Sequence, residues 1–126
     1  MALVTELENE GHPLVVYNLH LESKLYEHLR LLQVNEVLAD ADRYPPEVPV
    51  IIAGDFNTLM RNSPLILRLE EAGYRSVFGD KKVRTHVIVG ALDWIFVRGG
   101  VQFEQARVLR DLHASDHDPI SVALRF

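Results

Sequence analysis

The run Val48-Pro49-Val50-Ile51-Ile52-Ala53-Gly54 is apolar almost without interruption and then breaks into Asp55-Phe56-Asn57. A strand sends alternate side chains to opposite faces, so it can be apolar at every position only where both faces are covered. The chain therefore has to build layers around an interior strand whose exit is polar. Three other apolar strands are interrupted in the same way: Leu14-Val15-Val16-Tyr17 runs into Asn18-Leu19-His20-Leu21, Leu92 to Val97 carries the lone acid Asp93, and Ser115-Asp116-His117-Asp118-Pro119 leads into the last strand. Four strand ends that each carry chemistry are hard to explain as core packing. Together they point to metal-assisted phosphoester chemistry.

The elements around these strands follow from spacing. Residues 3–8 and 13–20 read as an antiparallel pair joined through Asn9-Glu10-Gly11-His12-Pro13. Period-two geometry puts Val16, Asn18 and His20 on one face of the second strand. From Lys24 to Asp42 the spacing is helical, with Leu25, Leu29 and Leu32 beside Leu31, Val34, Leu38 and Ala41, and Tyr44-Pro45-Pro46 stops the helix. A second helix starts at Ser63-Pro64, ends near Gly73 and buries Leu65, Ile66, Leu69 and Ala72. Strands are expected at 74–78, 92–98, 105–109 and 119–126, with a glycine-containing loop at 79–91. The class implied is α/β (α+β), a mixed and mainly antiparallel sheet covered by helices on at least one face.

Length and composition bound the function. A chain of 126 residues is one domain's worth. No apolar run approaches the ~18 residues that cross a bilayer, and the start Met1-Ala2-Leu3-Val4-Thr5-Glu6 has no secretory pattern, so a cytoplasmic location is the default expectation. The absence of cysteine excludes disulfides, thiolate metal sites and a cysteine nucleophile. A formal charge of −5 argues against a broad basic surface for nucleic acid, and the short cluster Lys81, Lys82 and Arg84 reads as a solvated loop. It leaves a phosphate substrate open, because a divalent cation inverts the field of the carboxylates that hold it.

Asp55 and Asn57, two apart on an extended exit, can aim oxygen atoms at one point, as Mg²⁺ or Mn²⁺ requires; the same residue types also make a plain tight turn. Asp116 and His117 supply an acid beside an imidazole, able to act as acid, base or phosphoryl-oxygen stabiliser. Asp93 is the economical partner for His117, since a carboxylate inside an apolar strand needs a hydrogen bond; the alternative is an exposed edge position. His20 is followed by Glu22 and Ser23, and Ser23 can cap the next helix or meet a phosphate. His12, His28, His86 and His113 lack such context, although His86, beside Thr85 and the basic loop, could reach a substrate.

These motifs, in this order, resemble the endonuclease/exonuclease/phosphatase superfamily, which includes DNase I, exonuclease III-type nucleases, sphingomyelinases and inositol polyphosphate 5-phosphatases. The resemblance runs from Ala2 to Phe126 and implies half of a four-layer αββα sandwich. It implies that Asp55 activates the attacking water, that Asn57 holds this water or the phosphate, that Asp93 fixes His117, and that His117 stabilises the transition state. It further implies a Mg²⁺ or Mn²⁺ site at Asp55, Asn57, Asp116 and His117, with phosphate contacts from Asn18, His20, Ser23, Asn57 and His117. The run His20-Leu21-Glu22-Ser23 is similar to tyrosyl-DNA phosphodiesterases of the same group.

Family members carry two earlier motifs, an Asn ending the first strand and a metal-binding Glu, and neither occurs here. The chain thus resembles the C-terminal half of the domain, as a single unit over 1–126. An inner sheet face left uncovered would be a partner site, a self-association surface or an aggregation liability. The reading that follows is the C-terminal part of a metal-dependent phosphoesterase. Its alternatives are a non-catalytic, phosphate-binding remnant and a homodimer that rebuilds the sandwich. Nucleic acid, a lipid headgroup and a small phosphoester all suit such a centre, because specificity lies in loops.

Overall fold

The computed structural model describes residues 1–126 except Leu25, Met60, Lys82, His113 and Ala114. The expected place of Leu25 in the first helical stripe, Lys82 of the basic loop and His113 therefore lie outside the described residues. Strands β1 (Ala2–Asn9) and β2 (His12–His20) form a hairpin whose turn residues Glu10 and Gly11 have φ of 50° and 81°. Two successive left-handed residues give the turn a twist that matches that of the strands. Helix α1 (Glu27–Ala41) returns the chain to β3 (Val50–Asp55), which lies parallel to β2. After α2 (Pro64–Glu71) and the two-residue β4 (Arg75–Ser76), strand β5 (Asp93–Arg98) pairs antiparallel with the other side of β3. The sheet order is β1-β2-β3-β5-β4, and β6 (Gln102–Val108) with β7 (Ile120–Arg125) makes a separate antiparallel ribbon.

The interior strand β3 is covered on both faces, as its composition requires. Val50 and Ile52 join Val15, Tyr17, Leu19, Trp94 and Phe96 under Val34, Leu38, Leu65, Ile66 and Leu69 of the two helices. On the opposite face Ile51, Ile95 and Val97 pack against Phe103, Ile120, Val122 and Leu124 of the β6–β7 ribbon. Each fully buried aliphatic side chain contributes about 1.5–3 kcal/mol, so both layers are needed to hold the sheet. Among the described residues the inner face lies open at its β1 end. There Leu3 and Leu7, opposite Asn18 and Leu14, are 63% and 49% exposed.

Three local expectations are corrected. Helix α1 begins at Glu27, not Lys24, and its N-cap Tyr26 makes no side-chain cap bond, so Ser23 does not cap it. Buried Arg30 is the reason: its guanidinium donates to the carbonyls of Glu22 and Lys24 and to Glu27 Oε2, holding 22–24 off the helical path. The strand expected at 74–78 shrinks to two residues because Gly79 N–H bonds the Ser76 carbonyl and turns the chain away. Strand β6 starts earlier than expected, at Gln102, and carries a bulge between Glu104 and Arg107 that includes Gln105 at φ 57°. Helix α2 matches its expected signals, with Ser63 Oγ accepting from Ile66 N–H and Pro64 in the first turn. Among the described residues no helix is long and apolar enough to cross a membrane.

Gly54 leaves no room for a side chain in β3. Its φ is 133°, and a Cβ placed there would lie 2.0 Å from the Leu19 carbonyl oxygen of β2. Gly54→Ala is expected to lose more than about 2 kcal/mol in chemical denaturation, because a backbone clash adds to the strain of the dihedral. Gly79→Ala, where φ is 57° and no atom lies within 4 Å, should lose clearly less. Equal losses would contradict the close β2–β3 approach.

Candidate active site

The register of the sheet creates the site. His20 ends β2 opposite Asp55 of β3, and Asp55 is opposite Asp93 of β5, so three polar side chains form one row across neighbouring strands. In-register partners project from the same face. His117, from the loop before β7, closes over this row. Its Nδ1 lies 2.8 Å from Asp93 Oδ2 and its Nε2 lies 3.9 Å from Asp55 Oδ2. His20 Nε2 stands 3.9 Å from the same Asp55 oxygen, which is thereby flanked by two imidazoles. The expected pairing of Asp93 with His117 is present.

The tight-turn reading of Asp55-Phe56-Asn57 is realised, and it leaves one Asp55 oxygen facing the imidazoles. Asp55 Oδ1 accepts the Asn57 N–H at 2.8 Å, a side-chain-closed turn, while Oδ2 is the atom that faces the imidazoles. Asn57 sits at φ 48°, and its Nδ2 donates to the Leu21 carbonyl at 3.0 Å. That bond leaves Oδ1 as the amide's remaining acceptor. Buried Phe56 plugs the core between them and donates its N–H to the Leu92 carbonyl. Ligand atoms of Asp55, Asp93 and His117 lie within 4.8 Å of one another, and those of Asp116 group separately with His86 and His117; the carboxylates and the Asn57 amide oxygen fit a hard divalent cation in kind. They are few, so such an ion would retain several other ligands.

The Asp116–His117 loop is held by its own polar atoms and by a neighbouring turn. Ser115 Oγ donates to Asp116 Oδ1 at 3.2 Å and accepts the His117 N–H at 3.2 Å. Hydrogen bonds from its own backbone and from Ser115, with His86 and His117 nearby, hold the Asp116 carboxyl below the usual range. Partial burial alone would lower the His117 pKa. The Asp93 hydrogen bond and the charges of Asp93, Asp55 and Asp116 outweigh it, and the net shift is upward.

Other expected site residues are less closely gathered. Asn18 shares the face of His20 but belongs to the next row, opposite Ala53, and is exposed. Ser23 is exposed beyond the end of β2, on the segment tethered by Arg30. Sequence reasoning under-read Thr85 and His86. Thr85 is fully buried, and its hydroxyl oxygen accepts the N–H groups of Leu92 and Asp93 at 3.1 and 3.0 Å, setting the start of β5. His86 is buried beside His117, with ring centroids 4.8 Å apart. The available signal was the polar pair itself, set in a loop seven residues before Leu92-Asp93.

Comparison with known proteins gives the family and the fold. The model of the Endonuclease/Exonuclease/phosphatase family matches residues 8–117. A UPF0294 protein of Vibrio vulnificus is 35% identical over 123 residues, and the match spans 93% of this chain but only 41% of that relative. A humanized D. rerio TDP2 superposes with a TM-score of 0.78 at 20% identity, covering 99% of this chain and 60% of TDP2. The mannosyl-6-phosphatase Bt3783 of Bacteroides thetaiotaomicron superposes with a TM-score of 0.74 at 20% identity, covering 93% and 53%. The structural likenesses establish the fold.

In the metal-free protein, an NMR titration is expected to place the His117 midpoint above the ~6.5 of an unperturbed imidazole. Asp93→Asn should lower it. Because the folded value is raised, the His117 contribution to stability is full below the unfolded pKa and is lost as pH rises through the folded one. A midpoint indifferent to Asp93→Asn would contradict the Asp93–His117 pairing.

Proposed function

The chain belongs to the endonuclease/exonuclease/phosphatase family and has its DNase I-like fold, and from that premise we propose that it is the C-terminal part of a divalent-metal-dependent phosphoesterase. The observation that carries this reading is the in-register row His20–Asp55–Asp93 with His117 bridging Asp93 and Asp55. Two imidazoles around carboxylates suit a reaction in which a proton leaves water on one side while negative charge grows on phosphoryl oxygens on the other.

In this account water bound at Asp55 loses its proton to Oδ2 as its oxygen forms a bond to phosphorus. Asn57 orients that water through its amide. His117, kept protonated at Nδ1 by Asp93 and raised in pKa, donates from Nε2 to the oxygen on which charge accumulates. With Nδ1–H given to Asp93, Nε2 has a proton to donate only in the imidazolium form, which the surrounding carboxylates favour and which leaves no lone pair for a metal. His20 donates to the departing oxygen as its bond to phosphorus breaks, with Asn18 one row away on the substrate side. Ser23 is assigned no step. A Mg²⁺ or Mn²⁺ ion held by Asp55, Asn57 and Asp116 would supply Lewis acidity to the phosphoryl oxygen.

A second reading is a phosphate-binding remnant without turnover; the chain spans 41% of the V. vulnificus relative's length. The covered inner face at β3 and β5 does not distinguish the two. The exposed Leu3 and Leu7 end keeps self-association as a proposal of its own.

Hydrolysis of an aryl phosphodiester with Mn²⁺, with Mg²⁺ and with EDTA tests the function. Turnover is expected with metal and not with EDTA, and Asp55→Ala or His117→Ala should reduce it at least ~10²-fold. A folded chain that binds inorganic phosphate without turnover under any metal would support the remnant instead.

A further inference from the structure

We propose that His86 is a positioning residue of this site: a neutral imidazole whose Nε2–H orients the Asp116 carboxylate and whose ring braces His117, and not a metal ligand. His86, Asp116 and His117 offer ligand atoms within 4.8 Å of one another, which by distance alone would suit an ion. The hydrogen bonds decide otherwise. His86 Nδ1 accepts the backbone N–H groups of Ile88 and Val89, both at 3.1 Å. A ring nitrogen that accepts must carry its lone pair, so in the neutral ring the proton resides on Nε2. Nε2 therefore has no lone pair to give a cation, and it lies 3.3 Å from Asp116 Oδ2. The ring is only 8% exposed and meets the His117 ring at 86°, edge against face.

The backbone of the same turn makes this role coherent. Thr85 and His86 donate their N–H groups to the Gly90 carbonyl, closing the turn at 3.0 and 2.8 Å. Val87 N–H then bonds the Asp116 carbonyl at 3.0 Å, and Asp118 N–H bonds the Thr85 carbonyl at 2.6 Å. The Thr85 hydroxyl meanwhile holds the start of β5 at Asp93. The 85–90 turn thus joins the strand that carries Asp93 to the loop that carries Asp116 and His117, two segments distant in sequence. His86 extends this connection from the backbone to the Asp116 carboxylate. Outer groups that orient ligands in this way commonly change metal affinity or activity by about 10–100-fold when removed.

The role in catalysis rests on Asp116 and His117 serving phosphoryl transfer, so the test has an arm that needs no turnover. Long-range ¹⁵N–¹H NMR of the wild-type chain is expected to show His86 with its proton on Nε2 and an accepting Nδ1, unchanged on adding Mg²⁺. A proton on Nδ1, or loss of the Nε2 proton with Mg²⁺, would overturn the proposal. In the activity arm, His86→Leu should lower kcat/KM by about 10–100-fold and raise the Mn²⁺ concentration for half-maximal rate. His86→Gln, whose amide can still donate to Asp116, should recover most of both. Equal loss in the two variants would contradict a donor role. If the wild-type chain has no turnover, the remnant reading is supported, and the NMR arm alone decides the tautomer and the exclusion of metal ligation.

Discussion

Everything at the site depends on three strand ends being level. Strand β3 lies between β2 and β5 in a register that sets His20, Asp55 and Asp93 side by side, and a slip of β3 by one residue would send Asp55 to the face opposite His20 and Asp93. The level is held from both sides. Gly54 lets β3 approach the Leu19 backbone where any Cβ would collide, and Asp55 lies immediately beyond it. On the far side the Leu21 N–H continues the parallel ladder to the Asp55 carbonyl, and Phe56 N–H bonds the Leu92 carbonyl. Hydrophobic layers on both faces stabilise the sheet, but this local backbone geometry places the functional atoms.

Charge explains why the gathered groups are compatible. Two carboxylates on adjacent strands repel unless positive or donor groups separate them. Here His117 donates to Asp93 while its other nitrogen faces Asp55, and His20 approaches Asp55 from the opposite side. Asp55 divides its oxygens, one to the turn with Asn57 and one to the imidazoles. Such a division gives Asp55 Oδ2 a fixed direction without a further supporting side chain.

The interior position of β3, its polar exit, both helices and the pairing of Asp93 with His117 were legible in sequence because each leaves a periodic or solitary mark. An acid in Leu92 to Val97 has few partners, and an uninterrupted apolar run has few places to go. Less legible were features set by contacts between distant segments. Arg30 displaces the α1 start by reaching back to Glu22 and Lys24, so the helical pattern from Lys24 was overridden by a buried cation. The ribbon β6–β7 covers much of the inner face, which local patterning could not show because coverage depends on where a later hairpin folds. His86 was under-read for the same reason: its context is Asp116 and His117, thirty residues further along.

The most direct test of the central claim is crystallographic. Crystals grown with Mn²⁺ and inorganic phosphate should show an anomalous peak bonded to oxygens of Asp55, Asn57 and Asp116, with a phosphate oxygen against His117 Nε2 and His86 outside the coordination shell. A manganese peak away from the His20–Asp55–Asp93 row, or phosphate bound with no contact to His117, would contradict it.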